Sequence, residues 1–102
     1  MTNPDALAEK VNEKLPGWER IYNTLHRKLS FKSASASLAF TNRLATIAEQ
    51  QQHHPSIFID GAQLQIELYT YDTGGITKRD FVLAEEINTL IKNYTHGMVH
   101  EK

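Results

Sequence analysis

The chain has 102 residues, of which 40% are hydrophobic and 23% charged, so one globular domain spanning residues 1–102 is expected. The formal net charge of −1 provides no basic surface for nucleic acid or for anionic lipid, and no apolar segment is long enough for a membrane span. The absence of cysteine excludes disulfides, thiolate nucleophiles and zinc–thiolate sites, and it fits a cytoplasmic protein.

The N-terminal third is predicted to hold one helix followed by one or two strands. Asn3-Pro4 resembles an N-cap with proline in the first helical turn, and Pro16-Gly17 is a helix stop. The segment from Trp18 to Phe31 alternates imperfectly between apolar and polar residues. It predicts strand structure around Asn23-Thr24 without fixing the number of strands.

A long helix is predicted from about Ser33 to Gln51, because apolar residues recur on one helical face. Ser33 or an immediate neighbour is expected near its N-cap. The residues of that face are Phe40, Leu44, Ile47 and Ala48.

A β-hairpin and a final helix are predicted in the second half of the chain. Asp60-Gly61 is a strong two-residue turn signal. The next segment alternates in the manner of a half-buried antiparallel strand, with Leu64, Ile66 and Leu68 on one side. Its polar face is left for solvent or a partner subunit.

Thr77 and Asp80 resemble a capping box at the start of the final helix, after the break at Gly74-Gly75. Residues 96–102 are predicted to be a flexible tail. The order of elements predicts an α+β domain whose antiparallel sheet is covered on one face by helices.

The junction between the long helix and the hairpin carries two adjacent histidines, His53 and His54, followed by Pro55. Imidazole titrates near pH ~6.5, so such a pair is a candidate acid/base site. An exposed polar turn is the alternative interpretation. Glu49 would share a face with His53 if the helix persisted, and a solvated helix end is the equal alternative. No acidic or histidine cluster has the spacing of metal ligands, so no metal is expected.

The motifs of the chain resemble those of the pterin-4a-carbinolamine dehydratases, the family that includes the dimerisation cofactor of hepatocyte nuclear factor. The motifs are Glu49-x-x-x-His53-His54-Pro55, Asp72-x-Gly74-Gly75-x-Thr77-x-Arg79-Asp80 and Leu83-Ala84. The resemblance covers most of the chain. It implies a four-stranded antiparallel sheet with three helices packed on one face, assembled as a homodimer or homotetramer.

The resemblance also implies a reaction that needs no metal or organic cofactor. A 4a-hydroxytetrahydropterin (pterin-4a-carbinolamine) loses water to give quinonoid dihydropterin, which recycles the tetrahydrobiopterin cofactor of aromatic amino acid hydroxylases. His53 and His54 are expected to line the pterin site, with His54 as the more direct proton-transfer group. Glu49, Pro55, Thr70 and Asp80 are expected around the substrate, and helix capping is the more conventional role of Asp80.

Two positions depart from the family pattern. Its aromatic residue falls on Gly61, inside the predicted turn, and its third histidine falls on Tyr71, directly after Thr70. A phenol donates a hydrogen bond but is a poor base at neutral pH, so Tyr71 would give a slow or inactive enzyme if that position transfers a proton. If that position mainly orients the substrate, Tyr71 can replace the histidine.

The alternative function is therefore a catalytically degenerate protein of the same fold that acts as an assembly or binding factor for a protein client. RuBisCO assembly in the α-carboxysome and transcription cofactors are precedents for that role. An unrelated small interaction domain is a third interpretation. Dehydration is favoured because both histidines are present.

Overall fold

The computed structural model describes residues 14–70 and 76–94. Two helices and four strands lie in that part of the chain. They are β1 (Glu19–Ile21), β2 (Thr24–Ser30), α1 (Ala34–Gln51), β3 (Ser56–Asp60), β4 (Gln63–Leu68) and α2 (Lys78–Asn93). The helix predicted from Asn3 lies outside the described residues except at its end, and so do the tail and the Gly74-Gly75 break.

The four strands form one antiparallel sheet in the order β1-β2-β4-β3. In the register of the central pair, Leu25 lies opposite Leu68 and Leu29 opposite Leu64, so their side chains share one face. These residues are buried, as is Ile66. The alternation predicted for the strand after the hairpin is confirmed.

Both described helices pack on that apolar face. The long helix begins after Ser33, whose hydroxyl accepts a hydrogen bond from the backbone of Ala36, and its predicted inner face is buried in the core. The helical members of the core are Phe40, Leu44, Phe81, Leu83, Ala84, Ile87 and Leu90. The α+β architecture with a helix-covered sheet is confirmed for the described residues.

Two tight loops fix the sheet register. Gly61 and Ala62 form the loop between β3 and β4, one residue later than the Asp60-Gly61 turn that we predicted, because Asp60 still pairs with Gln63. The left-handed φ of +58° at Gly61 is the reason that glycine suits this position. The segment after Trp18, for which one or two strands were predicted, forms two strands, β1 and β2, joined at Tyr22-Asn23.

Within the described ranges, neither helix has the length and apolar character that crossing a membrane requires.

We expect Ile66→Ala to lower the free energy of unfolding by about 2–5 kcal/mol, because Ile66 is fully buried on a central strand. Ile59→Ala is the matched control, since Ile59 lies on the edge strand β3 and is 44% exposed. The decrease in the free energy of unfolding caused by Ile59→Ala should stay below about 1 kcal/mol. Urea unfolding of both variants measures the difference, and equal costs would contradict the burial of Ile66 and the exposure of Ile59.

Candidate active site

The end of α1 determines where the histidine pair lies. Gln52 has a left-handed φ of +52°, and its N–H donates to the carbonyl of Glu49 over 3.1 Å. The N–H of His53 donates to the carbonyl of Ala48 over 3.0 Å. These two bonds form a Schellman motif, so the chain turns back at the helix end and the His53 side chain becomes buried.

The same motif separates Glu49 from His53. The helix ends at Gln51, so the two residues do not share a helical face as a continuous helix would have allowed. Glu49 is exposed, and no hydrogen bond or ion pair joins it to His53 among the described residues. The structure places Glu49 as a solvated helix end in this chain.

The centre of the site is the carboxylate of Asp80, which is fully buried. Its Oδ1 contacts Nε2 of His53. Its Oδ2 accepts hydrogen bonds from the Thr70 hydroxyl and from the Thr77 backbone N–H, both over 2.8 Å. A buried charge is tolerated when it is hydrogen-bonded in this way, so these donors are what allow Asp80 to stay buried.

Asp80 also determines which ring nitrogen of His53 carries a proton. An ionised carboxylate only accepts hydrogen bonds, so Nε2 of His53 must be the donor. In the neutral ring, Nδ1 then holds the lone pair. The pair therefore fixes a single tautomer of His53, oriented with Nδ1 as the proton acceptor.

The predicted helix cap at Asp80 is confirmed as well. Thr77 is the N-cap of α2, and its side chain and that of Asp80 form a capping box. Thr70 connects this cap to the end of β4, because its hydroxyl lies 2.8 Å from that of Thr77. As Thr70 donates to Asp80, its oxygen accepts from Thr77. Thr70, which we predicted to bind substrate, is buried and contacts Asp80.

The remaining predicted site residues differ in their surroundings. His54 is exposed, and Pro55 is half-buried immediately before β3. Tyr71 lies outside the described residues. Gly61 lies beyond the end of β3 that is far from the histidine pair, and β3 alone spans about 17 Å at the usual rise per strand residue. Its departure from the family pattern therefore leaves the surroundings of His53 unchanged.

A cavity of about 340 Å³ opens beside His53. It is lined by Gln51, His53, Lys78, Arg79 and Val82. Arg79 also donates to the backbone carbonyl of Gln52 and so ties the start of α2 to the end of α1. The contribution of Lys78 and Arg79 to this cavity was not predicted, because Lys78 was only an interior position of the capping box and Arg79 was a motif residue without an assigned role.

A larger cavity of about 590 Å³ lies towards the other end of α2, where Arg27, Asn88 and Lys92 line it. It contains none of the predicted site residues, so its size is not a reason to prefer it over the cavity at His53. Among residues 14–70 and 76–94, no three His, Asp or Glu side chains are grouped as metal ligands would be.

We expect Asp80→Asn to lower the free energy of unfolding by about 2–4 kcal/mol, because it replaces a buried charge with an amide that cannot serve all of the donors. Asp60→Asn is the control, because Asp60 is exposed at the end of β3, and its effect should stay within about 0.5 kcal/mol. Denaturant unfolding provides both values. An unchanged Asp80→Asn stability would refute the buried network.

Comparison with known proteins adds sequence relatives and structural neighbours. The profile of the family described as pterin 4 alpha carbinolamine dehydratase matches residues 2–90. A protein of Thermomicrobium roseum, provisionally named pterin-4-alpha-carbinolamine dehydratase, is 40% identical over 86 residues, which cover 84% of this chain and 92% of that protein. The mitochondrial pterin-4-alpha-carbinolamine dehydratase 2 of Arabidopsis thaliana is 38% identical over 88 residues, with coverages of 81% and 47%.

Two solved structures are similar in fold. The transcriptional coactivator/pterin dehydratase of Brucella melitensis has a TM-score of 0.79 at 25% identity, over 87% of this chain and 96% of that one. A pterin dehydratase-like protein identified as a RuBisCO assembly factor in the alpha-carboxysome has a TM-score of 0.59 at 20% identity, over 72% and 84%. The second likeness concerns the fold alone.

Proposed function

We propose that this chain, which belongs to the pterin 4 alpha carbinolamine dehydratase family, dehydrates a 4a-hydroxytetrahydropterin to quinonoid dihydropterin. The substrate we propose is 4a-hydroxytetrahydrobiopterin, and the reaction is that of a hydro-lyase in tetrahydrobiopterin recycling. The observation that carries the proposal is the His53–Asp80 pair, which holds one imidazole in a fixed tautomer on the wall of a cavity.

The reaction requires two proton transfers and no external oxidant or cofactor. The bond between C4a and the hydroxyl oxygen breaks, and the oxygen takes up a proton and leaves as water. The proton on N5 is removed, and a double bond forms between C4a and N5. One group must accept a proton while another donates one, which two histidines in different environments can do.

We assign the N5 proton to Nδ1 of His53. Nε2 is engaged with Asp80, so Nδ1 is the ring nitrogen that can accept a proton. The imidazolium formed by that transfer is stabilised by the adjacent carboxylate, as in other histidine–aspartate pairs. Because Asp80 and the Thr70 hydroxyl are buried, this acceptor is held in place before substrate arrives.

We assign protonation of the leaving hydroxyl to His54. Its exposure lets the ring exchange protons with water between turnovers, and the following proline favours an extended backbone that directs it away from His53. Glu49 and Pro55 remain proposed contacts of the substrate. Tyr71 is the proposed hydrogen-bond donor at the position of the family's third histidine.

We expect His54→Ala to reduce kcat for dehydration of a 4a-hydroxytetrahydropterin by about 10²–10⁴-fold, because it removes a general acid. His53→Ala should reduce kcat to a similar extent and also weaken folding, since it removes one of the hydrogen-bond partners of the buried Asp80. Absorbance-monitored dehydration rates and urea unfolding measure the two effects. His100→Ala is the control for removing an imidazole, and a His54→Ala enzyme as fast as this control would contradict the assignment.

The alternative is a catalytically degenerate member that acts as an assembly or binding factor for a protein client. The specific observation in its favour is Tyr71, because a phenol replaces the histidine of the family pattern. The fold likeness to a RuBisCO assembly factor shows that this architecture also occurs in such proteins.

The Tyr71→His variant distinguishes an active enzyme that uses Tyr71 from a protein whose site has lost catalytic activity. If the parent protein is an enzyme, its rate should exceed the uncatalysed background, and Tyr71→His should change kcat by less than about tenfold. A parent rate at background that rises in Tyr71→His would identify a decayed dehydratase. Tyr71→Phe is the matched control, because it removes only the hydroxyl.

The proposal also includes a homodimer or homotetramer in the cytoplasm, with a third helix formed by the N-terminal residues. Exposed apolar side chains on the edge strand β3 support self-association: Phe58 is 55% exposed and Ile59 44% exposed.

A further inference from the structure

The cavity beside His53 has a cationic wall that the dehydration chemistry leaves without a role. Lys78 and Arg79 both line it, and no aspartate or glutamate is among its lining residues. Asp80, the nearest carboxylate in sequence, directs its oxygens to His53, Thr70 and Thr77. The positive charge on this wall is therefore not neutralised by Asp80.

The stability of α2 does not explain these cations. They are the first two residues of the helix, where the partial positive charge of the helix N-terminus disfavours a cation by a few tenths of a kcal/mol to about 1 kcal/mol. Lys78 makes no hydrogen bond or ion pair with any described residue. A lysine in this position weakens the helix slightly, so its presence calls for another explanation.

The guanidinium of Arg79 is anchored at the end of α1. One guanidinium nitrogen, Nη2, donates to the carbonyl of Gln52, which fixes the side chain against the end of α1. A guanidinium has five N–H donors, so the others remain for a ligand in the cavity. A fixed guanidinium beside a freely rotating ammonium suits a carboxylate or a phosphate.

From these observations we propose that the physiological pterin carries an anionic substituent, a carboxylate or a phosphate ester, which Lys78 and Arg79 bind. This inference rests on the proposed function, because it places the pterin ring beside His53. It changes the proposed substrate from 4a-hydroxytetrahydrobiopterin, whose side chain is uncharged, to a 4a-hydroxytetrahydropterin with an anionic side chain. The apolar side chain of Val82 lines the same cavity and is 41% exposed, so it offers a contact for the ring.

Calorimetric titration with stable oxidised pterins tests the inference without relying on turnover. The probes are 6-hydroxymethylpterin, which is uncharged on its side chain, pterin-6-carboxylate and the phosphate ester of 6-hydroxymethylpterin. We expect at least one anionic probe to bind about tenfold more tightly than the neutral one at low ionic strength. The preference should decrease as salt is added. The tighter of the two anionic probes identifies the source of the charge.

Lys78→Gln should bring the affinities for the anionic and neutral probes to within about two- to threefold of each other. Lys92→Gln is the matched control, because Lys92 also lies on α2 but in its last turn, and it should retain the full preference. Equal binding of all three probes by the parent would overturn this inference and leave the dehydratase proposal standing, as would a preference that is as large in Lys78→Gln as in Lys92→Gln. If no pterin binds, this inference is overturned, and the dehydration rate of the parent protein against the uncatalysed background decides the dehydratase proposal separately.

Discussion

A single buried carboxylate holds together the part of this molecule where chemistry is expected. Asp80 has hydrogen-bond partners in three places: the second residue after α1, the end of β4 and the N-cap of α2. Removing a carboxylate from water costs several kcal/mol unless such donors replace the solvent. The start of α2 and the orientation of His53 therefore depend on the same carboxylate, so a change that displaces Asp80 affects both.

Much of the described fold follows from periodicity. The alternation of Leu64, Ile66 and Leu68 and the helical spacing of Phe40 and Leu44 predicted their burial, because each pattern matches a single face of its element. The region before Ser30 was harder to interpret for a physical reason. Arg27 lies on the inward face of β2, opposite Ile66, and reaches the carbonyl of Pro16, so a charged residue interrupts the apolar pattern of a genuine strand.

His53 and Asp80 were candidate site residues from the sequence, but their contact was not predicted. His53 and Asp80 are far apart in sequence, and their contact depends on how α1 ends. That end is a left-handed Gln52, at a position where glycine is the usual signal, so no local feature predicted that the chain would turn away from Glu49. The cationic wall at Lys78 was missed for a related reason, because a capping-box pattern describes a helix start and not the cavity beside it.

The residues of the helix cap contribute both to folding and to the candidate site, which affects how a sequence of this kind changes during evolution. A lineage that abandoned catalysis would still be under selection for folding, so Thr70, Thr77 and Asp80 would persist through their structural contacts. Exposed groups such as His54 and Lys78, which do not support the core, would be free to drift. Among descendants of such a protein, an intact helix cap therefore shows only that the fold is retained. The exposed residues are the better indicators of whether the protein is still an enzyme.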